Sequence, residues 1–144
     1  MQELFQTGGF AAFILRLTLG GVILPHGYQK ITNFNNVLYH LQHDYKVPAF
    51  LAVVAILVEF IAPLLLLAGV GTRIMAGLLI VLMAGAVIMG NHLQHGFFMN
   101  WFGNQKGEGF EYHLLAIGIG IAILVLGSGK WSVDALIASR SASH

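Results

Sequence analysis

The sequence predicts an all-α membrane protein, an antiparallel bundle of four transmembrane helices that forms a single domain over residues 1–144. Composition is the first reason, because 57% of the residues are hydrophobic and only 9% are charged, whereas soluble domains carry about 25% charged residues. The second reason is that four apolar stretches approach the roughly 20 residues that a helix needs to cross a bilayer. The third is a connection of a few residues between two of these stretches, which permits only an antiparallel return.

The first predicted span covers residues 10–31, after a short polar lead, and carries Arg16, His26 and Lys30. At about 100° per residue, these three side chains fall on or beside one arc of the helix. An ionisable side chain in hydrocarbon is costly and normally faces a bundle interior, a partner or a cavity. Pro25 removes a helical hydrogen bond, which predicts a kink before His26.

The second predicted span covers residues 49–70 and follows a polar, aromatic loop that we expect at the level of the lipid headgroups. Glu59 lies near the middle of this span, which is the most costly position for a charge in the sequence. Pro63, one turn later, predicts a second kink. The glycine-rich residues 69–73 then predict a tight turn.

The third and fourth predicted spans cover residues 72–91 and 111–127. Both contain small residues, alanine and glycine in the third and glycine in the fourth, which let membrane helices pack closely. The loop between them is aromatic and contains Phe97, Phe98, Trp101 and Phe102. Such a loop is typical of an interfacial belt or of a lid over a site.

Composition and charge also exclude several classes of function. The chain contains no cysteine, so disulfides, thiolate clusters and thiol-relay chemistry are excluded, and redox work would require a bound cofactor, a quinone or a partner. The net charge of +1 gives no basic field for nucleic acid. No basic region precedes the first apolar segment, so we expect that segment to be retained. Four spans place both termini on one side, which we expect to be the cytoplasm.

The polar residues of the spans predict a site. Depths calculated from the helical rise of about 1.5 Å per residue put Arg16 within reach of Glu59, which predicts an ion pair. The same calculation brings side chains from the other spans to one level near the far membrane face. Together these residues predict a pocket for a small molecule or cofactor under the aromatic loop, with the candidates Arg16, His26, Lys30, Glu59, His92, Glu111 and His113.

The residues alone leave the chemistry of this pocket open. His92 and His95 have the i, i+3 spacing of metal ligands on a helix end, and two histidines on different spans could hold a haem iron axially. A quinone ring is the third alternative, because histidine suits hydrogen bonding and proton exchange near neutral pH. The structural alternatives are that Arg16 and Glu59 only set helix register and that Glu111 beside His113 is an ordinary pair at a helix start.

Four stretches of the chain resemble the DoxX family of bacterial membrane proteins. They are RLTLGGVILPHGYQKI, VEFIAPLLLLAGVGTRIMAGLL, HLQHGFF with GEGFEYHLL, and GSGKWSVDALI. In the last stretch, Ser128, Lys130 and Val133 depart from the family's proline, arginine and leucine. The family's characteristic polar residues fall on Arg16, His26, Lys30, Glu59, Arg73, Glu111 and Asp134.

This resemblance implies a multi-pass protein of the bacterial inner membrane. Named family members are linked to thiosulfate:quinone oxidoreductase subunits and to oxidative-stress complexes with superoxide dismutase and a sulfurtransferase. The interpretation is therefore a redox-linked membrane subunit, an oxidoreductase or part of one, that acts near the quinone pool. Its expected partners are the lipid bilayer, redox subunits and a small-molecule ligand, in a homo-oligomer or larger complex. The alternative is a small-molecule transporter, or a binding or assembly subunit without catalysis.

Overall fold

The computed structural model describes residues 2–142, with side chains from residue 8 onward, and this part of the chain is helical without any strand. Residues 2–142 contain six α-helices: α1 (Gln2–Thr32), α2 (Phe34–His43), α3 (Ala49–Ala68), α4 (Thr72–Met89), α5 (Glu111–Leu126) and α6 (Val133–Ser141). A short 3₁₀-helix at His92–His95 follows α4. The predicted all-α class is confirmed for the described residues.

Four of these helices, α1, α3, α4 and α5, pack around one core, with α1 and α4 each lying beside both α3 and α5. Gly20 of α1 lies against Leu67 of α3, whereas Gly27 of α1 lies against Glu59. Residue numbers therefore rise in one helix as they fall in its neighbour, so α1 and α3 are antiparallel. Glycine at both positions removes the side chain that would otherwise hold the two backbones apart.

Three helical segments are long and apolar enough to cross a membrane: Gly8–Thr32, Ala49–Ala68 and Thr72–Met89. They match three of the predicted spans to within about two residues at each end, an offset typical of helix ends. The fourth predicted span corresponds to α5, a shorter apolar helix of 16 residues. At about 1.5 Å per residue, α5 is roughly 24 Å long, less than the roughly 30 Å of bilayer hydrocarbon.

The core draws one large aliphatic side chain from each packed helix. Ile23, Leu66, Leu79 and Ile123 are all buried, at 0 or 1% exposure. Small residues of α3, α4 and α5 complete the same cluster: Ala62, Ala76 and Ala116. Large apolar side chains also cover the outer surface, as expected for helices whose solvent is lipid rather than water.

Two backbone features set the ends of α4. Gly69 and Gly71 have φ angles of +73° and +56°, a left-handed conformation that glycine adopts without steric cost and that closes the α3–α4 turn in three residues. At the other end Asn91 has a φ of 57°, which stops the helix at Met89. His92 and His95 therefore lie in the 3₁₀-helix and not at the end of a continuous α-helix.

Candidate functional site: polar groups at the two ends of the bundle

The polar side chains within the bundle divide into two groups, one at each end. We call the end with the α3–α4 turn, residues 127–132 and α6 the terminal end. We call the end with residues 33–48 and 90–110 the loop end. The apolar core separates the two groups.

At the terminal end, Arg16 is fully buried, at 0% exposure. One terminal nitrogen of its guanidinium donates to the carbonyls of Leu66 (3.2 Å) and Leu67 (3.3 Å), and the other donates to the carbonyl of Trp131. Leu66 and Leu67 lie in the last turn of α3, where the helix dipole is negative. The Leu66 carbonyl also accepts from the Gly69 amide (3.1 Å). Arg16 therefore binds the end of α3 to the segment that follows α5.

The predicted ion pair between Arg16 and Glu59 is wrong. The Lys30 ammonium lies 2.5 Å from the Glu59 carboxylate and takes its place. The physical reason is the antiparallel register of α1 and α3, which brings Gly27 and Lys30 next to Glu59 and brings Arg16 next to the final carbonyls of α3. The depth estimate placed the two charges near each other but could not supply this register.

Asp134 of α6 forms the second contact of the terminal end. Its carboxylate accepts hydrogen bonds from the amides of Gly71 (2.8 Å) and Thr72 (2.9 Å) at the start of α4, and its own amide donates to the Gly69 carbonyl (2.9 Å). Burial would raise the pKa of this carboxyl, but the two amides, helped by the Arg16 charge, hold the pKa below its ordinary value. Asp134 thus caps α4 as a carboxylate.

At the loop end, two oppositely charged side chains pair with each other. Glu59 is buried, at 7% exposure, and Lys30, whose side chain is 39% exposed, brings its ammonium to that carboxylate from α1. A buried carboxylate needs such a partner, because an unpaired charge in an apolar interior costs several kcal/mol, roughly. The ion pair lies at the loop end of the bundle, since Lys30 is in the last turn of α1.

A row of aromatic and imidazole rings lies beside this ion pair. The ring centre of His26 is 6.0 Å from that of Tyr112, Tyr112 is 5.3 Å from His113, and His113 is 4.4 Å from His92. Lys30 is close enough to His113 to interact with it electrostatically. The structure therefore brings His26, His92, His113 and Lys30 to one end, as the depth calculation predicted for them.

Two nitrogens in this row have no hydrogen-bond partner among the described residues, His113 Nδ1 and His92 Nε2. His113 is buried, at 8% exposure, and its Nδ1 has no hydrogen-bond partner among the described residues. His92 Nδ1 lies 2.7 Å from the Glu108 carbonyl. A carbonyl can only accept, so His92 Nδ1 carries the proton and its Nε2 presents a lone pair. The pair can therefore accept and donate hydrogen bonds at the same place.

The other two candidates at this end have different surroundings. The Glu111 carboxylate accepts a hydrogen bond from the Met99 amide (3.3 Å), so it holds the aromatic loop against the start of α5. His95 packs against Gly107. Among the residues with described side chains, no group of three or more histidine, aspartate or glutamate residues is placed to hold a metal ion. The metal site at His92 and His95 stays a prediction.

Sequence reasoning missed the contact between Asp134 and the start of α4 and the role of Glu108. Asp134 is near the start of a short helix, which is a common place for an acidic residue, and nothing in its spacing points to residues 71 and 72. Glu108 acts through its main-chain carbonyl, for which residue type carries no signal.

Cavities lie at the terminal end. One has a volume of about 440 Å³ and lies between the start of α4 and the end of α5, and another of about 280 Å³ lies beside Phe10 and Trp131. Neither of these cavities is under the aromatic loop, so the predicted pocket there stays a proposal. The rings at the loop end lie close to the bundle surface, where His26 is exposed.

A protein-family model, DoxX, matches residues 11–92. The match covers more than half of the chain and includes Arg16, His26, Lys30, Glu59 and His92. No curated protein and no solved structure matches the chain.

Proposed function

Because the chain belongs to the DoxX family, we propose that it is a redox-linked subunit of the bacterial inner membrane that binds the ring of a quinone at its loop end. The observation that carries this proposal is His113, a buried imidazole with an unpaired nitrogen, in contact with His92 and near the Lys30–Glu59 ion pair. Buried polar atoms without a partner are rare in folded proteins, and a missing ligand is one of the few reasons for them.

The proposal places all four packed helices across the bilayer, with both termini in the cytoplasm. The shorter α5 is accommodated by thinning of the bilayer around it, at a modest cost per ångström of mismatch. The exposed aromatic side chains of Phe98, Trp101 and Phe102 then lie in the interface at the loop end. A hydrophobic quinone would reach the histidines from this side without crossing water.

The chemistry assigned to these groups is hydrogen bonding and proton exchange. Reduction of a quinone to a quinol takes two electrons and two protons, and the electrons would come from a partner subunit or a small reduced sulfur compound. His113 and His92 can hydrogen-bond a quinone carbonyl and exchange its proton with solvent near neutral pH. The ammonium of Lys30 favours negative charge that develops on a quinone oxygen during reduction.

A transporter is a weaker proposal for a single chain of this kind. A path between the two ends would have to pass the buried core cluster, whose members, among them Ile23, Ala62, Leu79 and Ala116, are all apolar. The polar residues that suggested such a path, Arg16 and Glu59, lie at opposite ends of the bundle and have separate partners. An assembly subunit without a ligand is the alternative that the experiment below must exclude.

The test is equilibrium binding of a short-chain quinone to the purified protein in lipid nanodiscs. His113→Ala is expected to weaken binding about fivefold or more, because a lost hydrogen bond to a buried ligand group costs on the order of 1 kcal/mol. His43→Ala is the matched control, since His43 is an exposed histidine that stacks on Tyr39 of α2. Equal affinities in both variants, or no binding by the unchanged protein, would contradict the proposal.

A further inference from the structure

We propose that α6 (Val133–Ser141) is an interfacial helix, which lies on the bilayer surface at the terminal end with its apolar side chains among the lipid headgroups and upper acyl chains. Its partner is the lipid of the membrane that the bundle itself spans, and not a second protein. This inference concerns the end of the bundle opposite to the row of histidines, and it does not depend on quinone binding.

The start of α6 is tied to the turn between α3 and α4. The Asp134 amide donates to the Gly69 carbonyl (2.9 Å), and the Asp134 carboxylate accepts from the Gly71 amide (2.8 Å). Just before α6, the Trp131 carbonyl accepts from the buried guanidinium of Arg16. Both α3 and α4 are long and apolar enough to cross a membrane, and only three residues connect them. The turn therefore lies at the membrane surface, and α6 begins there.

The length of α6 favours a further surface that stabilises it. The helix has 9 residues, whereas isolated helices shorter than about 12–15 residues are marginal in water. The Ser132 hydroxyl caps its first turn by accepting from the Ala135 amide (3.1 Å). However, α6 lies wholly within the described residues and none of its side chains is buried. Packing against the bundle therefore does not account for the helix beyond its start.

The larger apolar side chains of α6 share one side of the helix. Val133, Leu136 and Ile137 have the i, i+3, i+4 spacing of one helix face, and they are exposed at 38%, 53% and 58% of their surface. Trp131, two residues before α6, is also exposed and packs edge-on against Phe10 at the start of the first span. Tryptophan is typical of the membrane interface. The apolar side of α6 thus continues, through Trp131, into the lipid-facing surface of α1.

The charges of the terminal end suit a layer of lipid headgroups. Arg73, Lys130 and Arg140 are exposed basic residues at this end, whereas the carboxylate of Asp134 is compensated by main-chain amides. Basic residues beside an interfacial helix favour a membrane surface that contains anionic lipids. Because the tether already holds α6 at that surface, the bilayer covers its apolar side without any additional component.

The experiment reports the surroundings of a single tryptophan placed on either side of α6. In a protein with Trp101→Phe and Trp131→Phe, Leu136→Trp puts the probe on the apolar side. The matched control, Ala138→Trp, puts it about 160° away around the helix. Both positions are exposed, so neither substitution disturbs the core. Quenching by lipids brominated on the upper acyl chain is compared with quenching by aqueous acrylamide, in bilayers of phosphatidylcholine and phosphatidylglycerol.

We expect brominated lipid to quench Leu136→Trp at least about twofold more strongly than Ala138→Trp, because the apolar face of an interfacial helix is buried roughly 5–10 Å into the boundary of headgroups and acyl chains. Acrylamide should quench the two probes in the opposite order. Brominated lipid should also quench Trp131 in the Trp101→Phe protein, and this measurement needs no substitution in α6.

Equal quenching of Leu136→Trp and Ala138→Trp by brominated lipid would overturn the inference. Stronger quenching of Leu136→Trp by acrylamide would place the apolar side in water and would also overturn it. Protection of Leu136→Trp from both quenchers would assign this side to a second copy of the chain or to another protein, and would contradict the lipid.

Discussion

The two ends of the bundle both hold charged side chains in an apolar setting, but the partners of these side chains differ in kind. At the terminal end Arg16 and Asp134 bind main-chain groups, the carbonyls of α3 and the amides of α4. At the loop end Lys30 and Glu59 bind each other, and His113 keeps a free nitrogen. A charge held by the backbone is fixed to the fold. A charge held by another side chain can exchange its partner for a ligand.

This comparison predicts that the largest loss of stability comes from the terminal end. Arg16→Met removes the donor of the Leu67 and Trp131 carbonyls, whereas the Leu66 carbonyl keeps the Gly69 amide as a donor. Each buried, unsatisfied polar group costs about 1–3 kcal/mol, so the free energy of unfolding should fall by about 3 kcal/mol or more. The measurement is an unfolding titration in mixed detergent micelles.

Lys106→Met is the control for this variant, because it replaces an exposed basic residue with the same apolar side chain. It should change the free energy of unfolding by less than about 0.5 kcal/mol, as surface substitutions usually do. A loss in Arg16→Met no larger than in the control would show that Arg16 is not what binds the end of α3, and the comparison of the two ends would fail.

A smaller loss of stability is expected from Gly27→Ala, which acts on the register that forms the Lys30–Glu59 pair. A methyl group at Gly27 would meet the main chain of Glu59 and Phe60, and α1 would have to move away from α3. Overpacking of this kind costs about 1–3 kcal/mol. Gly21→Ala on the same helix is the matched control, because open space surrounds that position. Similar melting temperatures for the two variants would disprove the close approach of α1 and α3.

The smallest expected effect is the pH dependence of stability that Asp134 contributes. The pKa of Asp134 is held below its ordinary value in the folded protein, so its carboxylate stabilises the fold at higher pH. That contribution is lost as the pH falls below the ordinary carboxyl pKa of about 4 and through the lower folded pKa. Thermal unfolding of the unchanged protein and of Asp134→Asn should differ at pH 6 and converge at low pH. A constant difference would contradict the role of the carboxylate as a cap.

Much of the fold follows from the pattern of hydrophobic residues. Three predicted spans agree with helices that are long and apolar enough to cross a membrane, because length and composition depend on the segment alone. The glycines of residues 69–71 predicted the turn, which needs two left-handed residues. The third predicted span runs two residues beyond α4, because Asn91 in a left-handed conformation ends the helix at Met89.

The partners of the polar residues were harder to predict than their positions. Depth along a helix brought His26, His92 and His113 to one level, and the structure places their rings in a row with Tyr112. The depth calculation did not identify the partner of Arg16. Every residue has a main-chain carbonyl that can accept a hydrogen bond, so residue type does not show which carbonyl is the partner. The choice between a side-chain and a main-chain partner depends on helix register.

The most direct test of the comparison uses the two tryptophans of the chain, one at each end. Trp101 lies in the aromatic loop, and Trp131 packs against Phe10 and Phe13 at the terminal end. Each single-tryptophan protein, Trp131→Phe or Trp101→Phe, is titrated in nanodiscs with a short-chain quinone that quenches indole fluorescence. We predict saturable quenching of Trp101, shifted to higher quinone concentration in His113→Ala, and only unsaturable quenching of Trp131. Saturable quenching of Trp131, or of neither residue, would contradict a ligand site at the loop end.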